Sequence, residues 1–136
     1  MTTTLFHSGQ VLKRKEIHRS YGGQERGGIS TPRKHPYIFI FTGEAGEEFG
    51  YKDHWEGEIF HYTGEGQRGD MRFKGGNVSL QDHKENGERV FLFKQRRNGY
   101  VEFVNEVAVR GWRYESCNDL SGKFRQGIVF ELVALP

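Results

Sequence analysis

The sequence has little of what several protein classes require. Its single cysteine, Cys117, cannot form an internal disulfide, which argues against a disulfide-stapled secreted domain. No apolar run approaches the length of a transmembrane helix, and the Met1-Thr-Thr-Thr start is unlike a secretion signal. We therefore expect a soluble, cytoplasmic protein that has no membrane partner.

Recognisable catalytic motifs are also missing. The sequence has no Walker A loop, no dinucleotide-binding fingerprint and no nucleophile elbow. His54 and His61 stand seven residues apart and lack an obvious third ligand, so we expect no metal site. These absences predict a chain without catalytic residues and without a cofactor, which favours recognition over catalysis.

Aromatic residues and glycine are what the sequence does contain. It has 11 Phe, 6 Tyr, 2 Trp and 19 Gly but only 3 Pro among 136 residues, which is typical of a twisted sheet with tight turns. The aromatic residues fall within alternating runs, so the chain is expected to fold despite a charged fraction of 28%. We expect a flexible N-terminus at residues 1–8 and one domain over residues 9–136.

Charge is unevenly distributed along the chain. The net charge is +5 over residues 1–36, −6 over residues 37–70 and +3 over residues 71–136. Basic ends around an acidic middle are consistent with a basic rim around a polar pocket. Ordinary solvated surface charge explains the same numbers equally simply.

Periodicity predicts two short helices and six or seven strands. The helices are expected at Lys13 to Tyr21, ended by Gly22-Gly23, and at Asn77 to Lys84, with Asn77 as its N-cap. Strands are expected at residues 37–42, 58–63, 90–93, 100–109, 111–114 and 125–135. Because closure removes exposed sheet edges, this pattern favours a mostly β (α+β) fold with a curled or closed barrel.

An ordered set of short segments resembles the SRA (SET- and RING-finger-associated) domain. The set is listed here in chain order: Gly27-Gly-Ile-Ser30, Phe39-Ile-Phe-Thr-Gly43, Gly50-Tyr-Lys-Asp53, His61-Tyr-Thr-Gly-Glu-Gly66, Gly75-Gly-Asn77 and Gly127-Ile-Val-Phe-Glu-Leu132. The resemblance runs from about Gly9 to Val133, and the chain is most similar to the SRA-like domains of McrA-like HNH modification-dependent restriction endonucleases. It implies a PUA-like β-barrel that binds double-stranded DNA and flips a modified cytosine into a pocket.

The resemblance also implies the residues of that pocket. Tyr51 and Tyr62 would sandwich the flipped base, Asp53 would read its Watson–Crick edge, and Thr63 would lie near the ring edge. Trp55 would pack beside them as a pocket wall. Independently of the family, a carboxylate suits the N4 amino donor of cytosine, and aromatic faces suit an extruded base.

Two loops and a set of basic residues are expected to contact the DNA. Gln24 and Arg26 lie in the loop that matches the family's approach to the vacated base site, and Gln67 and Arg68 lie in a short counterpart of the family's finger loop. The following basic residues are candidate phosphate contacts: Lys13, Arg14, Arg19, Arg33 and Lys34.

The resemblance implies the targeting module of a type IV restriction system, acting on nucleoid DNA in a bacterial cytoplasm. The chain lacks the His, Asn and Cys pattern of an HNH nuclease, so any cleavage would belong to another domain or a partner chain. Three alternatives remain open: a PUA-like RNA-binding module, a small-molecule-binding barrel with Asp53, Glu65 and Asp70 as pocket acids, and a reader of another DNA modification. Neither the preferred modification (5-methylcytosine or 5-hydroxymethylcytosine) nor the flanking sequence follows from the residues.

Overall fold

The structure, a computed structural model, describes residues 3–43 and 53–136 and is mostly β. The strands are β1 (Val11–Lys13), β2 (Ile29–Ser30), β3 (Tyr37–Thr42), β4 (His54–Glu56), β5 (Ile59–Thr63), β6 (Arg89–Gln95), β7 (Tyr100–Asn118) and β8 (Phe124–Ala134). The helices are α1 (Arg14–Tyr21) and α2 (Gly76–Gln81), and Arg97–Gly99 forms a 3-10 turn. Within the described ranges, no helix combines the length and apolar character needed to cross a membrane.

All the strands belong to one sheet, ordered β2-β3-β6-β7-β8-β5-β4, and β1 adds to β7. In the part of the chain that the structure describes, the terminal strands β2 and β4 do not pair with each other. The sheet is therefore open, and of the two expected forms, a curled or a closed barrel, the closed one is wrong. The expected mostly β architecture with two short helices is confirmed.

β3 and β6 pair in parallel at the middle of the fold and are buried on both faces. Their isoleucine, valine and leucine side chains, such as Ile40 and Leu92, belong to one core, which also takes in Tyr62 and Phe130. Their phenylalanine side chains belong to a second core on the opposite face. Continuous apolar sequence is what a parallel strand covered on both sides requires, and this explains the strong strand signal at residues 37–42.

The second core depends on the N-terminal segment and α1. Phe6, only 7% exposed, contacts the rings of Phe91, Phe93 and Phe103 with centroids 5.0–5.6 Å apart. Ile17 of α1 is buried in the same cluster. The segment expected to be flexible therefore contributes a buried aromatic ring to the fold.

β7 is longer than the pattern predicts, because it runs unbroken through two register shifts. One shift lies opposite Leu92 and Phe93 of β6, and the other lies between Val109 and Gly111. Such bulges increase the local bend and twist of a strand. What the sequence presents as two strands, at 100–109 and 111–114, is therefore one bent strand.

Candidate nucleic-acid interface

A cavity of about 580 Å³ opens where β3 and β5 end. Its walls come from the loop before β2, the end of β3, the end of β5 with its following turn, and the segment that leads into α2. The lining residues used below are Gly28, Thr42, Asp53, Tyr62, Thr63, Glu65, Gln67, Arg72, Lys74 and Asn77. Pockets of roughly 300–1,000 Å³ suit small ligands, so a single nucleobase fits this volume.

Asp53 joins the ends of β3 and β5 at the cavity. Its Oδ2 accepts a hydrogen bond from Thr42 Oγ1 at 2.8 Å, and its Oδ1 accepts one from the backbone N–H of Thr63, also at 2.8 Å. A carboxylate offers about four acceptor sites, so two remain for a ligand donor. Burial raises the pKa of Asp53 above its ordinary value of 3.8, while the hydrogen bonds from Thr63 and Thr42 oppose this shift.

Tyr62 is fixed at the cavity wall by its hydroxyl group. The O–H lies 2.7 Å from the carbonyl oxygen of Gly28 and 3.2 Å from that of Phe41, so it bridges the loop before β2 and the end of β3. Burial raises the pKa of this phenol well above its ordinary value, so it remains a neutral donor. Tyr62 is only 2% exposed, which leaves little of its ring face for a stacked base in this conformation.

Glycine at position 28 permits this approach. A Cβ added there would lie 2.7 Å from the Tyr62 hydroxyl oxygen, well inside van der Waals contact. Any larger residue would therefore displace either the loop or the phenol. This geometry gives a physical reason for glycine in the first segment of the resemblance, Gly27-Gly-Ile-Ser30.

Asn77 connects the far wall of the cavity to α2. Its Oδ1 accepts the Glu65 N–H at 2.9 Å, and its Nδ2 donates to the carbonyl oxygens of Glu65 and Arg72 at 2.9 and 3.0 Å. Glu65 Oε1 in turn accepts the backbone N–H of Gly76 at 2.8 Å. Asn77 was expected to be the N-cap of α2, but it lies inside the helix, and its side chain stabilises the turn after β5 through hydrogen bonds.

The structure brings several of the predicted pocket residues together and separates others. Asp53, Tyr62 and Thr63 line one cavity. Trp55, 43% exposed on β4, packs against Phe60 in a tilted arrangement with centroids 5.1 Å apart and is not among the described residues lining the cavity. Its expected place as a pocket wall stays a prediction. Tyr51 lies outside the described residues.

The predicted DNA-contacting loops differ in how they meet the cavity. Gln67 lines the cavity directly, whereas Arg26 and Arg68 are exposed outside the lining set. The Gln24 side chain is hydrogen-bonded to Thr31: it accepts the Thr31 N–H at 2.7 Å and donates to the Thr31 hydroxyl oxygen at 3.2 Å. It therefore shapes its own loop.

Arg14 was expected to contact phosphate, but its guanidinium group is committed to the protein. It donates to the carbonyl oxygens of Gly27 and Gln24 at 2.9 and 3.0 Å and to His18 Nε2 at 3.0 Å, and it lies 3.7 Å from the centroid of the Phe41 ring. Burial lowers its pKa to about 10. Arg14 therefore stabilises the conformation of the loop that borders the cavity, through its hydrogen bonds to Gln24 and Gly27.

The remaining basic candidates lie on the surface beside α1. Arg19, Arg33 and Lys34 line a second cleft of about 560 Å³, and Gln24 borders it. Lys13 lies apart from them, with its Nζ 5.6 Å from the centroid of the Tyr100 ring. Three cations around one cleft form a surface suited to a phosphate group, and the loop from Gln24 to Gly28 connects this cleft to the cavity.

Sequence reasoning missed several residues of the site. Thr42, Asn77, Arg72 and Lys74 all line the cavity. Arg72 and Lys74 follow the predicted finger loop and were not named as candidates. Thr42 and Asn77 lie in segments that carry the resemblance, but no pocket role was assigned to them, because their roles come from partners 11 and 12 residues away in sequence.

The described residues form an open mixed sheet that has a cavity at the ends of β3 and β5 and a cleft lined by basic residues beside it. The chain belongs to the ScoMcrA-like SRA-domain family, whose model matches residues 8–136. This confirms the resemblance to SRA domains of the McrA-like group. No curated protein shows significant similarity to the chain.

Solved structures with the same fold include SRA domains in complex with DNA. The sulfur-binding and SRA domains of ScoMcrA, complexed with phosphorothioated DNA, match with a TM-score of 0.76 and 22% identity, covering 96% of this chain and 40% of that one. The SUVH5 SRA domain matches with TM-scores of 0.70 with hemi-methylated DNA and 0.69 with hydroxymethylated DNA, at 18% and 17% identity. These matches cover 99% of this chain and 92–93% of those chains. This chain therefore spans well under half of the ScoMcrA chain it resembles.

Proposed function

We propose that this domain recognises modified cytosine in double-stranded DNA by taking the flipped base into the cavity between Asp53 and Gly28. The observation that carries the proposal is the placement of Asp53 in a polar cavity, with acceptor capacity left after its bonds to Thr42 and Thr63. An ionised carboxylate accepts the N4 amino hydrogen of cytosine. The DNA-bound SRA domains of the same fold support this class of partner.

The free-energy cost of flipping a base is similar in size to the gain from binding it in the cavity. Flipping a base costs a few kcal/mol, and stacking on protein aromatic groups returns about 1–3 kcal/mol per base. In the proposal Tyr51 supplies the stacking face, and Tyr62 forms the floor beneath the base. A 5-methyl group in an apolar niche adds about 1 kcal/mol.

In this proposal the domain is a non-catalytic targeting module. It directs a nuclease, an HNH domain or partner chain, to modified DNA in the bacterial cytoplasm. The family contains longer proteins, since the ScoMcrA structures extend far beyond the matched domain. Cleavage would accordingly be absent from residues 8–136 alone and would return when the nuclease is supplied.

The decisive experiment is a titration of this chain with duplexes that differ at one cytosine. We expect tighter binding to duplexes with 5-methylcytosine or 5-hydroxymethylcytosine than to plain duplex at the same salt concentration. Increased fluorescence of a 2-aminopurine placed beside the target base reports the flip. A phosphorothioated duplex and an RNA hairpin complete the set, and equal affinity for all five nucleic acids would refute the proposal.

Asp53→Asn tests the base-reading step without removing the hydrogen bond from Thr63, because the amide oxygen still accepts it. The amide N–H₂ instead opposes the N4 amino group, so we expect a loss of about 1–3 kcal/mol of discrimination. Glu85→Gln is the matched control, since it removes one negative charge from an exposed residue outside the cavity. Unchanged discrimination in Asp53→Asn would assign the reading of the base to another group.

A further inference from the structure

Three metal-binding side chains meet on one face of the β4–β5 hairpin. His54 and His61 are direct cross-strand partners, and Glu56 follows His54 by two residues. Because side chains alternate along a strand, Glu56 points to the same face as His54. Sequence spacing hid this group, since Glu56 becomes the third ligand only when the hairpin brings it beside His61.

The donor atoms are close to the separation that a bound ion imposes. Glu56 Oε2 lies 3.3 Å from His61 Nε2 and 4.0 Å from His54 Nε2, and all three donor atoms lie within 4.8 Å of one another. Metal–ligand bonds of about 2.0–2.2 Å in tetrahedral geometry place donors roughly 3.3–3.6 Å apart. The His54 and Glu56 side chains are 53% and 75% exposed, so both have room to rotate and close the remaining distance.

The two imidazole rings are stacked, so their lone pairs lie in nearly parallel planes and do not converge on one point. The His54 and His61 rings stack with centroids 4.9 Å apart and planes 15° from parallel. The His61 side chain is only 11% exposed, so its orientation is set by the surrounding sheet. His61 therefore fixes the direction of one ligand, and the exposed His54 ring has to turn out of the stack to direct its Nε2 at the same ion.

Arg113 is the group that competes with a cation. Its Nη1 lies 2.9 Å from His61 Nδ1, and it also donates to Glu131 at 3.2 Å and to Glu115 at 2.8 Å. A guanidinium only donates, so in this arrangement the His61 proton sits on Nε2 and faces Glu56. A metal at Nε2 would move that proton to Nδ1 and leave Arg113 with its two carboxylates.

We infer that His54, Glu56 and His61 form a binding site for a divalent transition metal of the zinc class. Two imidazoles and one carboxylate are the donors that suit this class of ion. A cavity of about 330 Å³ lined by His54, His61 and Arg113 adjoins the ligands, so a fourth coordination position is open to water. The site lies outside the base cavity, and its existence does not depend on the proposed function.

The test is a titration of the tag-free chain with Co²⁺, which reports coordination by visible absorption, followed by displacement with Zn²⁺. We expect saturable binding that weakens by at least about 100-fold in His54→Ala and in Glu56→Gln, more than is usual for loss of a supporting residue. His7→Ala and Glu58→Gln, exposed residues outside the group, should bind as the wild type does. Zn²⁺ should also raise the melting temperature of the wild type and not that of His54→Ala.

Arg113→Gln should increase the affinity for Co²⁺, because it removes a positive charge beside His61. Tighter metal binding in this variant therefore supports the site, and weaker binding contradicts it. The inference is overturned if the wild type binds Co²⁺ no more tightly than His54→Ala, or if His7→Ala loses as much affinity as His54→Ala. Both substituted ligands are exposed, so failure to fold does not obscure the result.

Discussion

Two opposing effects act on the pKa of the Asp53 carboxyl group. Burial favours its neutral form, and the hydrogen bonds from Thr63 and Thr42 favour its ionised form. Burial is the larger effect, so the pKa lies above 3.8. Holding the ionised carboxylate inside the cavity therefore costs some folding stability, which is common for ionisable groups at binding sites.

This balance predicts how stability depends on pH. Because the folded-state pKa is raised, the contribution of Asp53 to the free energy of unfolding is fully present below its unfolded pKa and is lost as the pH rises through the folded pKa. Asp53→Asn removes this titration. We expect the stability of the wild type relative to Asp53→Asn to fall as the pH rises from about 4 through the raised folded-state pKa, by about 1.4 kcal/mol for each unit of pKa shift.

Urea denaturation of both proteins across this range measures the difference. A wild-type advantage that grows with pH would mean that the hydrogen bonds outweigh burial and that the pKa is lowered. Glu85→Gln, exposed at the surface, serves as the reference for a generic change of charge.

The loop from Gly66 to Met71 is held to the far end of the β7–β8 hairpin. Leu120 N–H donates to Gln67 O at 2.7 Å, and Arg125 Nη1 donates to Gly69 O at 2.8 Å. Asp119 accepts the Gly69 N–H on Oδ2 and the Ser121 and Lys123 N–H groups on Oδ1. These hydrogen bonds, that from Gly69 first, hold the pKa of Asp119 below its ordinary value.

Asp119→Asn should release the loop while leaving the hairpin turn intact. The amide keeps an oxygen for Ser121 and Lys123 but turns an N–H₂ group toward Gly69. We expect faster hydrogen exchange at the Gly69 amide and little change at Ser121 and Lys123, which act as internal controls. Equal acceleration at all three amides would show that the carboxylate supports the turn and the loop as one unit.

Elements built from local pattern were predictable, and elements built from distant partners were not. β3 matches its expected bounds, and α1 ends where expected but begins one residue later, at Arg14, because an alternating aromatic run and a Gly-Gly stop are local signals. β4 has three exposed residues and no apolar alternation, so its strand character comes from pairing with β5. In the candidate site, Asp53 and Thr63 were named as pocket residues and line the cavity, whereas Thr42 and Asn77 lie in the same set of motifs but were not named, because their roles come from tertiary contacts.

Fewer basic side chains are available to DNA in the folded molecule than the sequence count suggests. Of the seven basic residues in the first 36, Arg14 is half-buried and hydrogen-bonded to the protein, whereas Arg19, Arg33 and Lys34 share one surface cleft. Counterion release depends only on cations that reach phosphate groups. The salt dependence of DNA binding should therefore follow the cleft and not the total charge.

Two substitutions separate these roles. Arg19→Ala should reduce the magnitude of the slope of log affinity against log salt by about 0.9 if Arg19 meets one phosphate. Arg14→Lys keeps the charge but loses the guanidinium fork, so we expect an unchanged slope together with a loss of about 1–3 kcal/mol in the free energy of unfolding. Slopes from binding titrations at several salt concentrations, with urea denaturation alongside, provide both readouts. A reduced slope in Arg14→Lys would place its side chain on the DNA.

The parallel pairing of β3 and β6 has a consequence for how the domain acquires and changes its specificity. The chain leaves β3 at Thr42 and enters β6 at Arg89, and the stretch from Asp53 to Asn77, which supplies most of the cavity wall, lies inside that crossover. The cavity is therefore complete only when two strands far apart in sequence have joined. Because Tyr62 and Leu80 of the crossover belong to the aliphatic core, only changes in its loops would alter the cavity while leaving that core in place.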